Sequence, residues 1–129
     1  MILFLDTTTD TYALALATRA GKILRIKKIV RDERIGDKLF TAITGFLKTK
    51  KLAGIIAVTG PGRFSGIRQS IAIANTLAFA WGVPLAGVEK NEGDTVDILL
   101  ERGICQFATA SASYLLPAYG MEPTITLSR

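Results

Sequence analysis

The spacing of apolar positions along this chain switches from a strand period to a helical one and back. Residues 1–6 are apolar up to Asp6, the pattern of a buried strand, and Thr7-Thr8-Thr9-Asp10 is a polar turn. Residues 12–18 read as a second strand, Ala20-Gly21-Lys22 as another turn, and residues 24–30 as a third strand. That third strand sets Leu24, Ile26 and Ile29 against basic residues, as an outer strand with one wet face does. The opening is therefore predicted to be an antiparallel three-stranded meander.

The period then lengthens. Across residues 35–50, Ile35, Leu39, Ala42, Ile43 and Phe46 share one helical face, widened by Phe40 and Leu47. This apolar arc of roughly 160° is broader than a helix touching a single surface needs. Lys48, Lys50 and Lys51 follow where the C-terminal dipole favours cations. Residues 53–59, apolar throughout from Gly54 to Val58, are predicted as a central strand buried on both faces. A second helix over residues 65–81 carries Ile67, Ile71, Ala74, Ala78 and Trp81 on one face, with Ile73, Leu77 and Ala80 beside it. Gly82 and Pro84 end it, and residues 85–88 make a fifth strand. In the tail, a short helix over 94–103 ending at Gly103 and a short strand over 104–108 are predicted. A proline-marked extended segment follows at 115–123.

These elements specify an α/β fold: a mixed five-stranded sheet with two main helices, the first strand between the second and fourth, and right-handed crossovers. That topology resembles one lobe of the actin/hexokinase/Hsp70-like (ASKHA, ribonuclease H-like) fold. Residues 1–90 are assigned to the lobe and 91–129 to a short remnant of a C-terminal lobe with an extended tail.

Composition narrows the chemistry. Hydrophobic residues at 49% and charged residues at 21% of 129 argue for a folded chain. There is no histidine, which removes zinc sites, Ser–His and Cys–His nucleophile systems, and the commonest general base near neutral pH. The single Cys105 has no internal disulfide partner and is expected to be a buried apolar thiol in a reducing compartment. The apolar start is too short for a signal peptide and no membrane span is visible, so a cytoplasmic protein without membrane association is expected.

The net charge of +5 is uneven: eleven Lys/Arg face three acidic residues between Arg19 and Lys51, and the balance beyond is slightly acidic. Either a solvated strand face or a surface for nucleic acid or an acidic partner fits this pattern. No aromatic residues are interleaved to stack bases.

Three constellations could carry function. Thr59-Gly60-Pro61-Gly62-Arg63-Phe64-Ser65-Gly66-Ile67-Arg68 joins a strand to a helix N-terminus, where exposed N–H groups can hold an anion. The same glycines also suit a tight turn capped by Ser65. Asp6 and Thr7, with Gly60 and Gly62, are the candidate phosphate contacts, although Asp and Thr are ordinary turn formers. The two wide helices are the third. Ile35, Leu39, Ile43, Phe46, Ile71, Ala74, Ala78 and Trp81 are the candidate interface residues, unless the helices simply pack on each other.

Met1 to Thr9 and, above all, Val58-Thr59-Gly60-Pro61-Gly62-Arg63-Phe64-Ser65-Gly66-Ile67-Arg68, followed by Gly82-Val83-Pro84-Leu85-Ala86-Gly87-Val88, resemble the TsaB (YeaZ-type) subunits of bacterial tRNA threonylcarbamoyladenosine synthesis. The likeness runs over residues 1–90, and Pro117 to Pro123 resembles the way such chains close. It implies a non-catalytic subunit, needing no cofactor or metal of its own, that supports a TsaD-type catalytic subunit in threonylcarbamoyl transfer to adenosine 37 of tRNA. It also implies pairing through a helix bundle built from the first two helices, a homodimer when alone, contact with a TsaE-type ATPase, and tRNA engaged only indirectly. Two departures stand out: only about forty residues follow the fifth strand, so the C-terminal lobe is expected to be shortened, and Arg63 stands where a small residue is expected. The rival reading is an ATP-binding enzyme of the actin-like superfamily using Asp6 and the Gly60–Gly66 loop. A basic module contacting tRNA is a third.

Overall fold

In the computed structural model, residues 1–47, 52–62 and 64–109 are described. The elements run β1 (Ile2–Asp6), β2 (Thr11–Ala17), β3 (Ile23–Val30), α1 (Ile35–Leu47), β4 (Gly54–Gly60), α2 (Phe64–Trp81), β5 (Leu85–Glu89) and α3 (Val96–Thr109). They form one five-stranded sheet in the order β3-β2-β1-β4-β5, with β1 antiparallel to β2 and parallel to β4. The first strand is thus central, as the sequence predicts. Lys48, Lys50, Lys51, Arg63 and the segment 115–123 lie outside the described residues.

Strand alternation splits the apolar residues between two layers. Leu3, Leu5, Leu14, Leu16, Ile55 and Leu85 meet α1 and α2 on one face. Ile2, Phe4, Ile56, Val58 and Val88 meet Leu99 and Leu100 of α3 on the other. The strands β1 and β4 are buried at every position, which is why their sequences show no polar alternation. Among the described residues, no helix is long and apolar enough to cross a membrane.

The region after β5 differs from expectation in two respects. The predicted strand over 104–108 is helical, because α3 continues through Gly103 instead of ending there. Gly103 is a contact residue: a Cβ on it would lie 2.6 Å from the Ile56 side chain, so the missing methyl lets α3 approach β4. Cys105 is exposed, being on the side of α3 turned away from Leu99, Leu100 and Gly103. α3 packs on the sheet through Leu99 and Leu100 and is tied to it by two side-chain hydrogen bonds. Gln106 Nε2 donates to the Gly87 carbonyl at 2.7 Å, and an Arg102 guanidinium nitrogen donates to the Glu89 carbonyl at 2.8 Å. Both acceptors belong to the edge strand β5, so side chains of α3 satisfy backbone groups that an open edge would expose.

Candidate functional site: a groove between two helices and a closed loop

α1 sits over β2 and β3, whereas α2 sits over β1, β4 and β5. Side by side on different strands, the two helices leave an apolar groove of about 690 Å³ between them. It is lined by Leu39, Phe40 and Ile43 of α1 and by Ile73, Leu77 and Trp81 of α2, with Gln69 and Thr76 among its few polar residues. Gln69 is not idle there: its Oε1 accepts from the buried Tyr12 hydroxyl at 2.8 Å, which ties α2 sideways to β2.

Burial separates the eight candidate interface residues. Leu39, Ile43, Phe46, Ile71, Ala74 and Ala78 are all buried within the single chain, packed on the sheet. Ile35 is half-buried and Trp81 is 47% exposed. Of the six buried ones, only Leu39 and Ile43 also reach the groove. The wet apolar surface is offset by part of a turn: Phe40 is 70% exposed, and Ile73 and Leu77 are half-buried at the groove wall. Sequence reasoning placed Phe40, Ile73 and Leu77 beside the face it favoured. The signal it lacked was which part of a wide apolar arc the sheet consumes.

The structure brings Asp6, Thr7, Gly60 and Gly62 together where β1 and β4 end, yet their polar atoms serve the fold. Asp6 Oδ1 accepts from the Thr8 amide at 2.9 Å and from Thr8 Oγ1 at 2.5 Å. Asp6 Oδ2 pairs with Lys90 Nζ at 3.0 Å, and the carboxylate side chain is only 5% exposed. Thr7 Oγ1 donates to the Gly66 carbonyl at 2.5 Å. A Cβ on Gly62 would lie 2.5 Å from the Thr8 carbonyl oxygen, so this glycine, like Gly66, makes room for a backbone. Lys90 is a residue that sequence reasoning missed. Its amide donates to the Gly60 carbonyl at 2.8 Å while its ammonium neutralises Asp6.

These residues do not fit a metal-bridged phosphate of the actin type. The one carboxylate is already held by an ammonium and two internal donors, and among the described residues no three His, Cys, Asp or Glu side chains gather as ligands.

Comparison with known proteins agrees with this architecture. The family model described as TsaD, tRNA N6-adenosine threonylcarbamoyltransferase, matches residues 37–112, more than half of the chain. A tRNA N6-adenosine threonylcarbamoyltransferase of Geotalea uraniireducens (strain Rf4) is 35% identical over 79 residues, covering 56% of this chain and 23% of that protein. Among solved structures, YeaZ from Pseudomonas aeruginosa superposes with a TM-score of 0.59 at 27% identity, covering 68% of this chain and 43% of that one. A second Pseudomonas aeruginosa structure, described as an uncharacterized protein with similarity to peptidase YEAZ, gives 0.58 at 27% identity, with 68% and 42% covered. The chain thus spans under half the length of each of these relatives. The lobe has the actin/ASKHA-like fold, and the chain belongs to the tRNA N6-adenosine threonylcarbamoyltransferase (TsaD) family, with the structure of its YeaZ (TsaB) type.

Proposed function

We propose that this chain is a non-catalytic association subunit that supports a TsaD-type partner in threonylcarbamoyl transfer to adenosine 37 of tRNA. It docks through the α1–α2 groove as a heterodimer with that partner, or as a homodimer when alone. The observation that carries this reading is the groove itself: an apolar channel of about 690 Å³ rimmed by Phe40 at 70% and Trp81 at 47% exposure. An exposed apolar surface of this kind between two helices suits a facing helix pair better than water. A TsaE-type ATPase completes the proposed set of partners, and the absence of histidine leaves catalysis to the partner.

The test is association. The purified chain is expected to run as a dimer and to co-purify with a TsaD-type protein. Trp81→Asp and Leu77→Asp are each expected to abolish both while leaving the far-UV spectrum intact. Ala78→Asp is the poorer choice, because Ala78 is buried on the sheet and its replacement tests folding. A stable monomer that binds no TsaD-type protein would refute the proposal.

A further inference from the structure

α1 walls two grooves of opposite chemistry. The apolar one lies toward α2. On the other flank, Arg34, Asp37, Lys38 and Thr41 of the α1 region face β3 across an open groove of about 530 Å³, whose strand side carries Lys27 and Lys28. Lys38 is paired with Asp32, and the Arg34 amide donates to the same carboxylate. Among the described residues, the ammonium groups of Lys27 and Lys28 and the Arg34 guanidinium have no carboxylate within ion-pair distance, and Asp37 is the acidic group lining the groove itself. β3 is also the outermost strand, so nothing within the described chain covers this side.

We infer that the β3–α1 groove is a contact surface for the phosphate backbone of RNA. Two features of the groove favour this over an acidic protein. Lys27 and Lys28, as neighbours on a strand, leave opposite faces of the sheet, so the cations straddle the edge and suit a linear polyanion running along it. The large exposed aromatics, Phe40, Phe64, Phe79 and Trp81, all lie elsewhere. The groove therefore lacks the buried aromatic anchor that a protein interface is usually built around. It equally lacks a platform for stacking bases, so the contact is with phosphates and carries no sequence preference. RNA is chosen over DNA on the strength of the proposed role in tRNA modification, and the groove gives the chain a direct contact with that substrate where the family resemblance implies an indirect one.

The experiment is fluorescence anisotropy of a labelled tRNA transcript against the full chain at 50 and 200 mM salt. Three phosphate contacts predict a loss of affinity of about 40-fold between those concentrations. Lys27→Glu/Lys28→Glu is expected to weaken binding at least tenfold at low salt and to flatten the salt dependence, with dimer size and far-UV spectrum unchanged. Trp81→Asp is expected to disrupt association without this loss of charge-dependent binding, so failure of the RNA contact and failure of the association role are distinguishable. No binding by the parent chain at 50 mM salt, or equal binding by the double variant, overturns the inference. Binding of a polyglutamate peptide in place of the transcript also overturns it, and assigns the groove to an acidic protein.

Discussion

A Cβ on Gly66 would stand 1.9 Å from the Thr7 carbonyl oxygen, and Thr7 Oγ1 in turn donates to the Gly66 carbonyl. The start of α2 and the turn after β1 are thereby locked together, backbone against backbone. No rotamer change can relieve a backbone clash of that size. Gly66→Ala is therefore expected to cost about 3 kcal/mol or more, or to abolish folding, as overpacking in a rigid contact does. Gly45→Ala is the matched control: it is helical with open space around the position, so a gain of about 0.5–1 kcal/mol is expected. Urea melts of the two variants check this, and equal stability would show the contact to be slack.

Lys90 and Asp6 supply a second prediction. Replacing Lys90 by Met leaves a carboxylate that is nearly buried without its cation, and a loss of about 1–3 kcal/mol is expected. Lys90→Met/Asp6→Asn should recover part of that loss, and a double-mutant cycle measures the coupling. The same pairing bears on the ATP-binding rival. Calorimetry of the parent chain with ATP and magnesium is expected to show no binding. Micromolar affinity abolished by Asp6→Ala would reverse that conclusion.

Leu39 and Phe40 are adjacent on α1 and separate core from surface. Leu39 is 2% exposed and Phe40 is 70% exposed. Leu39→Ala is expected to destabilise the chain by about 2–4 kcal/mol. Phe40→Ala is expected to change stability by no more than about 0.5 kcal/mol while weakening self-association. Thermal melts paired with sedimentation check both. If Phe40→Ala destabilises as much as Leu39→Ala, the groove is already closed in solution.

Much of this was legible from the sequence for identifiable reasons. Buried strands such as β1 and β4 announce themselves because every side chain is covered, and the order β3-β2-β1-β4-β5 follows from a meander joined to crossovers. The groove was legible as an excess of apolar surface on two helices, but its address was not. Leu39, Phe40 and Ile43 lie on neighbouring positions of one wide arc, and only the tilt of α1 on the sheet decides which of them stays wet. Gly103 was misleading for a related reason. A glycine in a helical pattern reads as a terminator, whereas here it is a point of close approach to Ile56, and only three-dimensional contact tells these apart. Lys90 was invisible because its partner Asp6 is 84 residues away in sequence.

Asp94 sets the behaviour of α3 in acid. Its carboxylate accepts from the Asn91 amide at 2.8 Å and from an Arg102 guanidinium nitrogen at 3.1 Å, and the two hold its pKa below the ordinary 3.8, the backbone hydrogen bond more than the arginine. A carboxylate whose folded pKa is depressed contributes stability that is fully present above its unfolded value and is lost as pH falls through the lower, folded one. The turn before α3, and the Arg102 contact that covers the β5 edge through Glu89, should therefore persist unchanged through pH 5 and loosen only below the ordinary carboxylate range. Asp94→Asn should remove this acid-sensitive component. Amide exchange at Leu99, whose N–H bonds the Thr95 carbonyl at 3.0 Å, followed between pH 6 and pH 3 in both proteins, checks it. Identical profiles for the two would mean that Asp94 does not hold the start of α3.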